Sequence, residues 1–316
     1  SKRSKKKSPN ENFSRELLEL FTMGVDTYSQ EDVEAASRAF TGYSTDGYFT
    51  NYLFDHRRGD GEYWLKNHDF DYKEFMGKGG SFDGDEIIDI ILEQDNVANF
   101  ICEKIYKWFV YEIPDENFVN QMATILRDGN YEIKPVMEYL LTSEHFYDIN
   151  FRGSQIPNPV SQILGLIRKL NLHNMEYPNK YLQRYIGEMG MTLLYPPDVN
   201  GWTGHRAWIN SITLPMRKQL SSILIDPDTD KKLKFHINII ELANNLSDPN
   251  DPRSLVKDFA LVLFGLPLSE NLENKLVEIL MDGAAEYDWD INASRADYRL
   301  KELVKYMLRL PEAQLA

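Results

Sequence analysis

The chain has 316 residues, of which 42% are apolar and 27% charged, and its formal net charge is −14. This composition is that of a folded protein with a substantial core, and the negative charge argues against non-specific binding to nucleic acid or anionic membranes. The single cysteine, Cys102, excludes an intrachain disulfide and a cysteine-rich metal site. No apolar run approaches the roughly twenty residues that cross a bilayer. We therefore expect a soluble protein with no transmembrane segment and no nucleic-acid partner.

Positive charge is concentrated in residues 1–8, which contain lysine, arginine and serine but no apolar residue. Such a run is typical of an exposed basic loop or tail, with a nucleic-acid or membrane arm as the alternative. It is not followed by the apolar stretch of a signal peptide. We also expect it to belong to a loop cut within a longer protein, whose N-terminal portion stays bound to this chain as its partner.

Helix signals dominate the remaining sequence. Ser8, Pro9 and Glu11 resemble a capping box with proline at the first helical position, and apolar residues follow at helical spacing. Further helices are predicted from Ser29, Asp83 and Asp95, over 115–128, 132–143, 158–171, 178–189 and 210–224, and in three or four segments after 231.

Residues 47–76 depart from this helical pattern. Aromatic residues alternate over 47–54, Gly-Asp-Gly forms a turn at 59–61, and the alternation resumes at 63–65. This pattern predicts a small β-hairpin. The predicted fold is therefore mainly α: a multi-helical globular array, more than half helical, with a small inserted β-hairpin.

The acidic stretch at 225–231 contains a proline and is the predicted domain boundary. It separates a helical body over 9–225, which includes the hairpin near 47–76, from a C-terminal helical subdomain over 232–316.

Five short segments of the chain carry a family resemblance. They are Pro-Asn-Glu-Asn-Phe at 9–13 with Arg-Glu-Leu-Leu-Glu-Leu-Phe-Thr-Met-Gly at 15–24, Ala-Phe-Thr-Gly-Tyr at 39–43, His-Asp at 68–69 with Lys73 and Gly77, Pro-Pro-Asp-Val-Asn-Gly-Trp at 196–202 with Trp208, and Leu-Pro-Glu-Ala-Gln-Leu at 310–315. In this order they resemble the C-terminal portion of the bacterial domain-of-unknown-function 1800 family. One departure is Met191, because a glutamine often follows the glycine at this point in the family.

The resemblance implies a mainly helical fold and an extracytoplasmic setting, since such proteins are commonly exported and often encoded beside a sulfatase-like secreted family. It implies no activity, because none is established for the family. We therefore expect an uncharacterised scaffolding or binding protein of the bacterial envelope or exterior, with an envelope protein or a glycan as candidate partner.

The first candidate site lies on the helix after Pro9, where polar residues recur at helical spacing and share one face. These residues are Asn12, Arg15, Glu16 and Glu19. The two carboxylates could ligate a divalent metal, with His68 and Asp69 completing a mixed nitrogen and oxygen shell. The alternative is a network of ion pairs in which Arg15 contacts Glu11 and Glu19.

His68 and Asp69 form the second candidate site. The aspartate could orient the histidine as a general base or help it to bind a metal. Adjacent residues of a strand point to opposite faces, however, which weakens direct cooperation. The alternative is a structural pair that closes the hairpin against the helices.

The third candidate site lies within 195–208 and includes Trp202, His205 and Trp208. Tryptophans beside polar groups can stack on sugar rings, whereas the alternative is a plug that fills the gap between helices. Two functions thus stand beside the scaffolding role: a metal-assisted hydrolase using Glu16, Glu19, His68 and Asp69, and a carbohydrate-binding module using Trp202 and Trp208. The sequence implies no particular cofactor.

Overall fold

The computed structural model describes residues 4–43, 66–172, 179–225 and 237–315. It is 59% helical, and these described residues form 13 α-helices and one two-stranded antiparallel hairpin. The prediction of a mainly α fold with a small inserted hairpin is confirmed. No helix within the described residues is both long and apolar enough to cross a membrane.

The chain forms two compact units. Unit 1 comprises Ser1–Phe109 and Ile113–Ser143, and unit 2 comprises Val110–Glu112 and Glu144–Ala316. The predicted boundary at 225–231 lies within unit 2, and residues 226–231 are outside the described part of the chain. Leu224 before this stretch and Ile237 after it belong to the same hydrophobic core.

Unit 1 begins with three consecutive helical segments and continues through the hairpin into four further helices. Its elements are α1 (Glu11–Glu16), a π-helix (Leu17–Thr22), α2 (Gln30–Ala39), β1 (Lys73–Phe75), β2 (Lys78–Gly80), α3 (Gly84–Leu92), α4 (Asp95–Phe109), α5 (Glu116–Asp128) and α6 (Ile133–Thr142). Capping boxes fix the starts of α2, at Ser29, and α3, at Asp83. The capping box predicted at Ser8 is wrong, because Asn10 caps α1 by accepting a hydrogen bond from the Phe13 amide.

The hairpin pairs Lys73 with Gly80 and Phe75 with Lys78. The strands predicted at 47–54 and 63–65 lie outside the described residues. Phe75 is fully buried and joins the core of unit 1. The other residues of this core come from the π-helix, the helices α2, α3 and α4 and their connections, and include Leu18, Val33, Ala36, Ile87 and Ile91.

Unit 2 is an array of helices around a larger core. Its elements are α7 (Pro159–Lys169), α8 (Asn179–Glu188), α9 (Thr213–Ile225), α10 (Ile239–Asn244), α11 (Pro252–Phe264), α12 (Glu270–Met281) and α13 (Ala296–Met307), with 3-10 turns at Ile149–Phe151, His205–Trp208, Glu286–Asp288 and Glu312–Gln314. Helix α13 packs against α9, α10, α11 and α12. Between α8 and α9 the chain runs without a long helix, and this connection carries the tryptophans of the third candidate site.

Candidate binding site

The polar residues of α1 bond to different neighbours. Asn12 Nδ2 donates a hydrogen bond of 2.7 Å to Glu16. Arg15 Nη2 donates one of 2.7 Å to the amide oxygen of Gln30 on α2, and the amide nitrogen of Gln30 donates one of 3.2 Å to Glu11. The predicted network, in which Arg15 contacts Glu11 and Glu19, is therefore corrected: the neutral Gln30 side chain bridges Arg15 and Glu11, and Glu19 bonds to Tyr28.

Glu19 lies on the π-helix and not on a continuation of α1. The Met23 amide donates a hydrogen bond of 2.8 Å to the Leu18 carbonyl, five residues earlier, which is the π-helical pattern. Glu19 accepts a hydrogen bond of 3.0 Å from the Tyr28 hydroxyl. Burial, and then this bond, raise the pKa of Tyr28. Because a π-turn contains more residues than an α-turn, the α-helical spacing assumed for Glu19 does not hold.

His68 is buried against the end of α2. Its Nδ1 lies 2.9 Å from the Thr41 carbonyl oxygen, and its ring meets the edge of Phe70 with the centroids 4.6 Å apart. Burial lowers the pKa of His68. The Asp69 amide donates a hydrogen bond of 2.8 Å to the Thr41 hydroxyl. Thr41 therefore holds two consecutive residues through its carbonyl and its side chain.

Asp69 binds cations from two parts of unit 1. Arg38 Nε on α2 donates a hydrogen bond of 2.8 Å to one carboxylate oxygen, and Lys6 Nζ lies 3.4 Å from the other. Burial by itself raises the pKa of Asp69, but the bonds from Arg38 and from the Asp71 amide outweigh it and bring the pKa to about 2. Asp69 is therefore an ionised anchor at neutral pH. Its cations include Lys6 of the basic run.

Lys73 is the most deeply buried cation of this region, with 1% of its surface exposed. Its Nζ donates hydrogen bonds of 2.5 Å to the Asp69 carbonyl and 3.0 Å to the Asp71 carbonyl. Burial lowers the pKa of Lys73. We name Arg38, Thr41, His68, Asp69 and Lys73 the histidine–aspartate cluster. Its hydrogen bonds connect the start of the hairpin to α2.

The four residues considered as metal ligands bond to separate partners. Glu16 accepts from Asn12, Glu19 accepts from Tyr28, His68 Nδ1 lies against the Thr41 carbonyl, and Asp69 accepts from Arg38. Within the described residues, no group of three or more histidine, cysteine, aspartate or glutamate side chains is arranged to hold a metal ion. This geometry gives the metal-assisted hydrolase no support.

Trp202 and Trp208 line a cavity of about 270 Å³ in unit 2. Trp208 is buried, with 8% of its surface exposed, and Trp202 is half-buried. Pro197 lines the same cavity. Gly201 turns the chain between Pro197 and Trp202 with a φ of 91°, a value that glycine adopts without strain. We name this space the tryptophan cavity.

The wall opposite the loop comes from the end of α8 and the start of α9. Glu188 at the end of α8 and Met189 just after it contribute, as do Asn210 and Thr213. The Thr213 hydroxyl donates a hydrogen bond of 2.8 Å to the Trp208 carbonyl, and the Asn210 amide donates one of 3.0 Å to the Thr213 hydroxyl. The same residues that start α9 therefore fix the backbone of Trp208.

Several exposed apolar side chains belong to residues that line this cavity or lie near its lining residues in the sequence. Leu194 is 92% exposed and Tyr195 is 78% exposed, and both precede Pro197 closely in the chain. Ile212 lines the cavity and is itself 68% exposed. Exposed apolar groups beside a concave surface are typical of binding sites.

His205 belongs to the 3-10 turn before Trp208 but is not among the residues that line the tryptophan cavity. Its ring meets the edge of Tyr111 with centroids 6.4 Å apart. The structure therefore brings Trp202 and Trp208 to one site and directs His205 to an aromatic contact.

With these sites described, the chain can be compared with known proteins. A family model described as a protein of unknown function, DUF1800, matches residues 1–315. The chain belongs to the DUF1800 family. No curated protein and no solved structure matches it.

The five segments that carry the DUF1800 resemblance occupy different places in the structure. The first includes α1 and the π-helix, and the next two supply Thr41, His68, Asp69 and Lys73 of the histidine–aspartate cluster. The fourth lines the tryptophan cavity. The last includes Gln314, whose amide oxygen accepts a hydrogen bond of 3.0 Å from Gln162 inside unit 2. Most of these segments thus hold the fold together, and the fourth also borders an open space.

Sequence reasoning missed part of the cavity wall. Glu188, Met189, Asn210 and Thr213 were not among the candidate residues. The helix starting near 210 was predicted, and Asn210 with Thr213 is the polar pair expected at a helix start. That signal located the residues on the chain, but their approach to the tryptophans depends on how α8 and α9 pack.

Proposed function

We propose that this DUF1800 chain is a binding protein, that its ligand site is the tryptophan cavity, and that the ligand is a carbohydrate. The observation that carries the proposal is that Trp202 and Trp208 line one cavity of about 270 Å³. This volume is slightly below the roughly 300–1,000 Å³ of small-molecule sites. A space of this size suits a short part of a longer saccharide.

The polar groups around the cavity support a neutral, hydroxyl-rich ligand. Asn210 Oδ1 accepts hydrogen bonds from the backbone amides of Ile212 and Thr213. The side-chain NH₂ group of Asn210 has no partner among the described residues. Glu188 uses Oε1 to bind Arg184 on the same helix, which leaves its second oxygen as an acceptor. A donor and an acceptor beside indole rings match a sugar, whose hydroxyl groups need both and whose C–H face is apolar.

A binding role also agrees with the state of the titratable groups elsewhere. Four residues of the histidine–aspartate cluster, Thr41, His68, Asp69 and Lys73, are buried, and Asp69 and Lys73 are bonded to parts of the protein itself. Groups with these bonds stabilise the hairpin and leave little capacity for an exposed substrate.

Titration calorimetry with neutral oligosaccharides tests this proposal. We expect saturable binding to the unaltered protein and about tenfold weaker binding to Trp202→Ala, since an aromatic contact contributes about 1 kcal/mol beyond its buried area. Trp108→Ala is the matched control, because Trp108 is a tryptophan, is 70% exposed and does not line the cavity. Equal binding by Trp202→Ala and Trp108→Ala would place any sugar elsewhere, and no binding of any saccharide would reject a carbohydrate ligand.

We further propose that the protein acts in the bacterial envelope or exterior, since glycans are abundant outside the cytoplasm. The support is the family resemblance described above. Fractionation of the source cells, with an antibody against this chain, tests the proposal: we expect the protein in the envelope or culture medium, and recovery in the cytoplasmic fraction alone would reject it.

A further inference from the structure

Arg217 on α9 is the largest fully buried side chain of the described residues, with 1% of its surface exposed. One of its terminal nitrogens, Nη2, donates a hydrogen bond of 2.7 Å to the Pro157 carbonyl. The other two guanidinium nitrogens, Nε and Nη1, are buried and have no hydrogen-bond partner among the described residues. Since Nε carries one hydrogen and Nη1 carries two, most of the donors of this side chain are unused.

The unused donors belong to a cation. Burial lowers the pKa of Arg217 to about 10, so the guanidinium remains protonated at neutral pH. None of the ion pairs formed within the described residues includes Arg217. A buried charge without a counterion is strongly unfavourable, and truly unsatisfied buried donors are rare in folded proteins.

The carbonyl that Arg217 binds lies just before an α-helix. Pro157 precedes Asn158, which caps the 11-residue helix α7 by accepting a hydrogen bond of 2.9 Å from the Ser161 amide. The start of a helix carries the positive end of the helix dipole, which attracts anions and repels cations. Arg217 therefore adds a second positive charge where the backbone is already positive, and an anion would relieve both.

We propose that Arg217 and the start of α7 bind an oxyanion, either a carboxylate or a phosphate group. The planar guanidinium presents paired N–H groups that match both anions. This site goes beyond the carbohydrate proposal, because Arg217 does not line the tryptophan cavity. Thr213, one turn earlier on α9, does line it. The two sites thus lie on one helix and can be tested separately.

Thermal unfolding in a buffer free of oxyanions tests this site. Acetate, succinate or phosphate is added at constant ionic strength, with chloride as the reference salt. We expect a saturable rise in Tm of roughly 5–10 °C when the anion reaches one hundred times its dissociation constant. Acetate and succinate indicate a carboxylate site if they act at lower concentration than phosphate, and the reverse order indicates a phosphate site. No rise beyond that given by chloride would overturn the proposal and leave ordered water as the partner of Arg217.

Variants assign the effect to Arg217. In Arg217→Met the anion-dependent rise should disappear, and without anions this variant should be at least as stable as the unaltered protein because an uncompensated buried charge is gone. Arg168→Met on α7 is the matched control, since Arg168 is exposed, and it should keep the full rise. A full rise in Arg217→Met would also overturn the proposal. If Arg217→Met does not fold, Arg217→Lys keeps the charge without the planar fork, and we expect at least tenfold weaker anion binding.

Discussion

Thr41 offers a direct measurement of how much the histidine–aspartate cluster stabilises unit 1. Its fully buried hydroxyl accepts the Asp69 amide at 2.8 Å and donates to the Arg38 carbonyl at 2.6 Å. Thr41→Val keeps the shape of the side chain but removes both bonds. The Arg38 carbonyl still accepts the backbone amide of residue 41 at 3.2 Å, whereas the Asp69 amide is left buried without an acceptor.

The expected cost of Thr41→Val is therefore that of one unsatisfied buried donor, about 1–3 kcal/mol in the free energy of unfolding. Urea unfolding followed by circular dichroism at neutral pH measures this change. Thr124→Val is the matched control, since Thr124 is exposed and its hydroxyl donates to the Asn120 carbonyl of its own helix. A difference of less than about 0.5 kcal/mol between the two variants would refute the view that the Thr41 bonds hold the cluster.

The remaining predictions concern the pH dependence of stability, through Asp69 and His68, and backbone strain at Leu194. The pKa of Asp69 is about 2 in the folded protein and 3.8 in its unperturbed form. The contribution of Asp69 to the free energy of unfolding is therefore present above pH 3.8 and is lost as the pH falls toward 2. Asp69→Asn should therefore flatten the fall in unfolding free energy over that interval, and an unchanged slope in acid denaturation would contradict the assignment. The pKa of His68 is lowered below its unperturbed value of 6.5. The contribution of His68 to the free energy of unfolding is therefore present above pH 6.5 and is lost as the pH falls below 6.5. Leu194 has a φ of 64° and is 92% exposed. Leu194→Gly should raise stability by about 1 kcal/mol because glycine adopts this φ without strain, whereas a lower Tm in calorimetry would show that the leucine makes a contact that outweighs the strain.

The structure also changes how the family's sequence pattern is interpreted. The histidine–aspartate pair resembles catalytic or metal-binding residues, but its bonds to Arg38 and Thr41 join the hairpin to α2. Trp202 and Trp208 line an open cavity as well as packing against the protein. The cavity and Arg217 are accordingly the places where a ligand search should begin.

Local chemistry in the sequence determined where several helices begin. The capping boxes at Ser29 and Asp83 connect residues only three positions apart, so the sequence contains both partners of each bond. Apolar spacing likewise predicted the mainly helical fold, because one buried face requires a 3.6-residue period. The pair of tryptophans near 202 and 208 was also visible as a candidate site, since indole rings are chemically distinctive wherever they occur.

Only the tertiary structure decided which polar groups meet. Asp69 finds Arg38 at a separation of 31 residues, and Arg15 finds Gln30 where the sequence favoured a nearby carboxylate. The π-helix at Leu17–Thr22 was missed because its residues fit an α-helical period equally well over so short a segment. That Arg217 has no counterion among the described residues was equally invisible, because charge pairing depends on every element packed around the side chain. Local bonds are fixed by residues near in sequence, whereas burial and charge pairing are set by residues that only folding brings together.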